Sequence, residues 1–289
     1  VKTVSAAVFS ATLFFLSISG ISRATEAGDA SPMASEPPTG ELVLVAGATG
    51  GAGREIVREL LAGGYRVRAF VRDGVKARAS FGDKVEYAVG DVRERATIDA
   101  ALDGVDALIS AVGGMGNDPG NGPEFVDFGG VRNMAEAAAA ARLHQFVLVS
   151  SMGVTHEDNV LNQMFDDVLI WKFKGEQALR ASGVPYTIIR PGGLVDEPGG
   201  QKFIFFSQGD NSDGKISRAD LARVCVAALR SPDALNKTFE ISSGNFAPAR
   251  SFAESFAALA PDPEADSHDC PDQSCEPGDG LMRDSKGKK

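Results

Sequence analysis

The segment Gly47-Ala48-Thr49-Gly50-Gly51-Ala52-Gly53 is the part of this chain whose residue types and spacing most directly imply chemistry. The apolar run Leu42-Val43-Leu44-Val45-Ala46 precedes it, and Arg54-Glu55-Ile56-Val57-Arg58-Glu59-Leu60-Leu61 follows. Strand, glycine turn and helix in that order form the device with which a parallel α/β domain grips a dinucleotide pyrophosphate. Gly47 permits the tight turn, Gly50 lets backbone N–H groups approach phosphate, and Gly53 lets the helix pack on the strand. Thr49, Gly51 and Ala52 complete the loop that would line the phosphates.

Arg72 lies 72 − 53 = 19 residues beyond the last glycine of the loop, at the end of a second apolar run. An acidic residue about 20 positions on would bind the adenine ribose of NAD, whereas an arginine there accommodates the 2′-phosphate of NADP. Its planar fork suits phosphate oxygens. The spacing therefore predicts NADP(H) rather than NAD, the competing reading being that Arg72 merely pairs with Asp73 in a turn. Gly90-Asp91-Val92 closes the third run. Asp91 there either accepts from the adenine amino group or starts a turn, and the two roles are compatible. Ala111-Val112-Gly113 follows the fourth run and would let the nicotinamide half pass close to backbone.

These residues need a frame, and the chain supplies one. Strand-like runs recur at 65–71, 85–89, 105–111, 145–150 and 186–190, separated by helical stretches of which 131–143 and 168–181 are the clearest. Such alternation predicts a Rossmann-like, doubly wound parallel sheet covered on both faces, with right-handed crossovers. A later run, 237–242, would extend the sheet, and a small substrate-side extension would follow the main body. Ligands of these sheets bind at the carboxyl ends of the strands. That rule adds Ser150, Ser151, Pro191, Gly192 and Gly193 to the candidate residues.

Composition limits the alternatives. With 289 residues, 43% hydrophobic and 24% charged, the chain fits one α/β domain with extensions at both ends. A net charge of −10 and no basic stripe exclude a nucleic-acid binder. The first 24 residues read as a targeting leader: Lys2, an uncharged stretch around Phe9 to Ile18, then Ser22-Arg23-Ala24 as a cleavage site. An amphipathic first helix and a permanent anchor are the other readings, and the leader reading leaves no stable membrane span in the mature form. Residues 25–40 read as a disordered linker, 41–260 as the nucleotide-binding domain and 261–289 as a disordered acidic tail.

Cys225 falls on an amphipathic helix and reads as a buried small hydrophobe. Cys270 and Cys275 in the tail read either as a short disulfide or as exposed thiols, and no metal site is expected. The segment Asn211 to Asp220 resembles the later part of a calcium loop, but its first ligand position would be Gly209. Ser217 with Asp220 fits a helix cap better.

The chain resembles the atypical short-chain dehydrogenase/reductases of the NAD(P)-binding, NmrA-like type, especially their plant and algal group. The resemblance rests on the G-x-x-G-x-x-G loop, Val71-Arg72, Gly90-Asp91, Val149-Ser150-Ser151, Trp171-Lys172-Phe173-Lys174-Gly175-Glu176, Tyr186-Thr187-Ile188-Ile189-Arg190 and Ile216-Ser217-Arg218-Ala219-Asp220. It implies that Ser151 orients a substrate carbonyl and that Lys172 holds the nicotinamide ribose. It also implies a tyrosine four residues before the lysine as acid or base. That position is Val168, which cannot exchange a proton. His156, Asp166, Asp167 or a water are the substitutes available.

Two functions follow as expectations. One is an NADP(H)-dependent oxidoreductase acting on a small carbonyl or quinone-like substrate. The other is a non-catalytic NADP(H) sensor or scaffold. An epimerase or dehydratase with tightly held NAD+ is a third, opposed by Arg72. A leader on an NADP-binding domain, together with the plant and algal resemblance, predicts an organelle, with the plastid favoured over the secretory pathway or cytoplasm.

Overall fold

In the computed structural model the described residues are Val1, 40–114, 120–245 and 250–263. The leader, most of the linker, Cys270 and Cys275 therefore lie outside the described residues. The folded unit begins with β1 (Leu42–Ala46), α1 (Gly51–Ala62), β2 (Arg66–Val71), α2 (Gly74–Phe81), β3 (Glu86–Val89), α3 (Arg95–Ala101) and β4 (Ala107–Ser110). A π-helical turn, Glu124–Gly130, runs straight into α4 (Val131–Ala141), and β5 (Gln145–Val149) follows. Then come α5 (Val160–Met164), α6 (Val168–Ala181), β6 (Tyr186–Pro191), β7 (Gly193–Val195), β8 (Phe203–Ser207) and β9 (Lys215–Ser217). The unit closes with α7 (Arg218–Leu229), a 3₁₀ turn at Pro232–Ala234, β10 (Lys237–Gly244) and α8 (Phe252–Ala257).

The main sheet has the order β3-β2-β1-β4-β5-β6-β10-β8, and every pairing in it is parallel except β10 with β8. This is the predicted Rossmann-like arrangement. β1 and β5 are buried along their whole length, because helices cover both faces of the sheet. Successive side chains of β1 alternate between two cores. Val43 and Val45 meet Ile56, Leu60, Leu221 and Val224 on one face, where α1 packs along α7. Leu42 and Leu44 meet Ile98, Met134, Phe146 and Leu179 on the other, under α3, α4 and α6. Cys225 is buried in the first of these cores, as predicted.

Strand β10 extends the sheet as expected, pairing with β6, and then receives β8 on its other side. The strands β7 and β9 form a separate two-stranded ribbon beyond the end of β6, which the sequence pattern did not reveal. Ser217 caps α7 by accepting from the Asp220 N–H at 2.9 Å, so the calcium-like segment resolves into ribbon and helix cap.

The start of the acidic tail needs correcting. Asp262 is fastened into the fold: its carboxylate accepts from Thr238 N at 2.9 Å and from the Tyr186 hydroxyl at 3.0 Å, and Arg180 lies beside it at 3.3 Å. A carboxylate that gains three such partners is held against the sheet rather than released to solvent.

Candidate functional site

The glycine loop sits at the carboxyl end of β1. Gly47 has φ +76°, and a Cβ there would stand 2.6 Å from the Ala111 carbonyl oxygen at the end of β4. A Cβ on Gly53 would stand 2.1 Å from the Gly47 carbonyl oxygen. The turn is closed by Gly50 N–H donating to Gly47 O at 2.9 Å. Gly50 is also the N-cap of α1 and supplies no side-chain cap, so the first-turn N–H groups are left for an external acceptor. Uncapped donors at a helix N-terminus, reached over bare glycine backbone, fit a pyrophosphate. Thr49 and Ala52 lie in the same turn, and the Thr49 carbonyl accepts from Arg54 at 2.9 Å.

Arg72 is the residue that follows β2. Its guanidinium donates to Asn121 Oδ1 at 2.9 Å and does not pair with Asp73. Asp73 instead caps α2, accepting from Val75 N at 3.0 Å and Lys76 N at 3.1 Å. Lys76 lies in the first turn of α2, a place where the helix dipole disfavours a cation. Its Nζ lies 3.8 Å from Oδ2 of Asp73, so the cap carboxylate offsets that charge at the exposed start of the helix.

Asp91 carries a forked guanidinium: Arg93 Nε donates to Oδ1 at 2.9 Å and Nη2 to Oδ2 at 2.6 Å. The Arg93 hydrogen bonds outweigh partial burial and hold the Asp91 carboxyl below its ordinary value. Asp91 also accepts from Arg93 N at 2.9 Å, which makes it a turn starter. Val92 is buried, and its carbonyl accepts from Asn133 at 3.0 Å.

The most informative arrangement is one the sequence reading missed. Lys172, on α6, places Nζ 2.6 Å from Oδ1 of Asp127. Asp127 is buried in the π-helical turn, and its Oδ2 accepts from Gly114 N at 2.7 Å. Gly114 lies just beyond β4, after Ala111, Val112 and Gly113, so the pair ties α6 to the ligand-facing edge of the sheet. The approach is close because Gly175 has no side chain; a Cβ there would lie 2.2 Å from the Asp127 carbonyl. Asp127 stood in the sequence three residues after Glu124, flanked by Phe125, Val126, Phe128 and two glycines. An acid in so apolar a stretch is itself a sign of a buried partner.

Ser150 and Ser151 follow β5 but take different roles. The Ser150 hydroxyl donates to Glu176 Oε1 at 2.6 Å inside the protein. Glu176 is buried and is gripped by Arg190 through bonds of 2.9 and 2.7 Å and by Arg180 at 3.0 Å. Ser150 therefore serves a buried charge network. Ser151 is half-buried, and its hydroxyl donates to the Met152 carbonyl at 3.0 Å. The loop that follows is clamped by Asp210, whose carboxylate accepts from Gly153 N at 2.7 Å, Thr155 N at 2.9 Å and Thr155 Oγ1 at 2.8 Å.

Pro191 ends β6, and its carbonyl accepts from Met152 N at 3.1 Å. Gly192 N donates to Ile241 O and Gly193 N to Gly214 O, both at 2.9 Å, so these glycines connect β6 to the small ribbon.

Val168 is half-buried, one turn before Lys172, and no tyrosine from elsewhere replaces it. The chain's three tyrosines are accounted for: the Tyr65 ring is buried, Tyr87 donates to Gly82 O at 2.6 Å, and Tyr186 donates to Asp262. Burial first, and the Asp262 charge second, push the Tyr186 phenol well above its ordinary range. His156 ring Nε2 lies 2.8 Å from the Asp210 carbonyl, while Asp166 and Asp167 are exposed just before α6. Among the described residues no cluster of His, Cys, Asp and Glu is arranged to hold a metal. Nor is any described helix long and apolar enough to cross a membrane.

A family model for NAD(P)H-binding proteins matches residues 47–232. The chain belongs to this NAD(P)H-binding family. It is 37% identical over 246 residues to an uncharacterised chloroplastic protein of Arabidopsis thaliana, covering 75% of each chain. It is 35% identical over 243 residues to sanguinarine reductase of Eschscholzia californica, covering 70% of this chain and 88% of that one. A solved structure of a putative NAD-dependent epimerase/dehydratase from Bacillus halodurans superposes with a TM-score of 0.65 at 25% identity, over 76% of this chain and all of that one. The Rossmann-like fold and the oxidoreductase family predicted from the motifs thus stand.

Proposed function

We propose that the protein is an NADP(H)-dependent reductase of a small carbonyl or quinone-like compound, working without the usual tyrosine. The observation that carries this reading is the buried Asp127 holding Lys172 beside the Gly114 backbone at the edge of the cofactor cleft. A cation fixed by a buried carboxylate is preorganised and needs no rearrangement when negative charge develops near it. Relatedness to a protein named as a sanguinarine reductase supports reduction over epimerisation.

Arg72 and Lys76, at the end of β2 and the start of α2, are the pair to hold the 2′-phosphate of NADP(H). The glycine loop and the uncapped α1 N-terminus would take the pyrophosphate, and Lys172 the nicotinamide ribose. Bound there, the nicotinamide would supply a hydride equivalent. The Ser151 hydroxyl orients the acceptor oxygen, and the Lys172 ammonium stabilises the charge that develops on it. Since Val168 has no exchangeable proton, water delivers the final proton. An acceptor whose reduced form is stabilised as an anion suits this site, because it relies least on a strong general acid.

Stopped-flow oxidation of NADPH against a panel of quinones and aldehydes tests the reading. Turnover of at least one quinone with a clear preference for NADPH is expected; no oxidation across the panel would overturn it. The absence of a proton-bearing side chain at Val168 favours one other reading, a sensor of the NADP+/NADPH ratio. A sensor would discriminate oxidised from reduced cofactor in calorimetry and show no turnover. A plastid location is the proposal that fits the chloroplastic relative, and a fluorescent fusion of residues 1–40 tests it.

A further inference from the structure

Gly51 is the second of two adjacent glycines in the phosphate loop and the first residue of α1. Its backbone angles are open to any residue, since it is absent from the positive-φ positions. What it lacks is room. A Cβ on Gly51 would stand 2.8 Å from Nε and 3.0 Å from Cδ of Arg218. The bare Cα of Gly51 is therefore the seat of an arginine side chain brought from 167 positions further along (218 − 51 = 167).

The fold delivers that arginine deliberately. The ribbon pairs Val195 with Ser217, so the residues that follow on each strand, Asp196 and Arg218, emerge side by side. Arg218 Nη1 donates to Asp196 Oδ1 at 2.8 Å. Ser217 caps α7, and α7 packs along α1, which fixes the starting point of the Arg218 side chain relative to the phosphate loop. Asp196 takes one edge of the guanidinium, while Nε lies against Gly51. The Arg218 side chain is only a quarter exposed, whereas Asp196 is almost fully exposed. A weak, exposed partner does not explain why a cation is held over a helix N-terminus whose dipole repels it. An anion bound in that same turn does explain it.

We propose that Arg218 is a pyrophosphate-binding residue of the cofactor site, reaching the phosphates across the bare Cα of Gly51. It adds a charge-assisted side-chain contact to the backbone donors of α1 and makes binding depend on the β7/β9 ribbon. The pyrophosphate is common to NAD and NADP, so this assignment is independent of the 2′-phosphate reading.

The test is equilibrium binding of NADP+, NAD+ and adenosine 2′-monophosphate to the wild-type chain and to Arg218→Gln. Loss of a charge-assisted contact is expected to weaken both dinucleotides by about tenfold. The monophosphate, which has no pyrophosphate, is expected to stay within twofold. A loss below threefold for either dinucleotide, or an equal loss for the monophosphate, overturns the proposal. Gly51→Ala gives a second route, because its Cβ evicts the guanidinium. Gly51→Ala is expected to weaken NADP+ in the wild-type background and to cost nothing more once Arg218 is Gln; full additivity of the two losses overturns the proposal.

Discussion

Lys172 Nζ stands 2.6 Å from Oδ1 of Asp127, a carboxylate whose other oxygen receives the Gly114 N–H. Each charge depends on the other, because Asp127 is almost entirely removed from water. Lys172→Met should therefore strand a buried carboxylate and cost about 3–5 kcal/mol, read from the urea midpoint. Adding Asp127→Asn should recover at least half of that loss, since the orphaned charge is then gone. If the double variant is no more stable than Lys172→Met, the pair is not coupled as described. Both single variants should also lose turnover.

Arg72→Ser should weaken NADPH roughly ten- to hundredfold, the worth of a charge-assisted contact to phosphate, and leave NADH within twofold. Cofactor fluorescence titration reads both. Equal losses for the two cofactors would remove Arg72 from the 2′-phosphate site.

Gly53→Ala places a methyl group 2.1 Å from a backbone oxygen, which no side-chain rotation can relieve. The expected result is a destabilisation of about 1–3 kcal/mol, or more, with loss of NADPH binding. Thermal melting with and without NADPH measures both. An unchanged melting temperature would show that the turn has more slack than the backbone distances allow.

Glu176 holds Ser150, Arg180 and Arg190 together at the junction of β5, β6 and α6. Glu176→Gln removes the charge that both arginines share and should cost about 3–5 kcal/mol in denaturant unfolding. Ser150→Ala should cost less, about 1.5–3 kcal/mol, because it removes one hydrogen bond to the carboxylate and leaves both arginines in place.

His144 lies 2.9 Å from Glu41, and that hydrogen bond, opposed by partial burial, raises the imidazole pKa above its ordinary 6.5. A raised pKa means the folded state binds the proton more tightly than the unfolded chain. The stabilisation is thus complete below pH 6.5 and is lost as pH rises through the folded value. Unfolding of wild type and His144→Gln should differ most at acidic pH and converge in alkaline buffer. A difference that grows with pH would reverse the sign and rule out the Glu41 contact as its cause.

The parts of this protein legible in its sequence are those governed by local pattern. The runs Leu42–Ala46 and Gln145–Val149 announced central strands because both their faces are buried, leaving no polar alternation. The glycine loop was legible because backbone approach leaves only glycine at fixed spacings. The position of Arg72 just past β2 was legible through its distance from that loop, and its role stays a proposal. The ribbon of β7 and β9 was not, since strands of three residues carry no periodicity. Asp127 with Lys172, and Arg218 with Gly51, are pairings between distant segments. Nothing in the local residue pattern says which acid meets which base once the chain has turned back on itself. Asp262 failed for the opposite reason: its acidic, proline-rich neighbours suggested a tail, while three hydrogen-bonding partners far upstream hold it.

Strand β10 lies between β6 and β8, so β8 is made before the strand that, among the described residues, joins it to the main sheet. During synthesis Phe203–Ser207 must wait, unpaired, until Lys237–Gly244 has left the ribosome. Residues 47–232, the stretch that marks the family, end before that strand. A chain released at residue 232 would carry every cofactor-loop residue and still have an open sheet edge at β6. Cofactor loop and sheet completion are thus carried by different parts of the chain: the loop comes with β1, and the strands that extend the sheet past β6 come with Phe203–Ser207 and Lys237–Gly244.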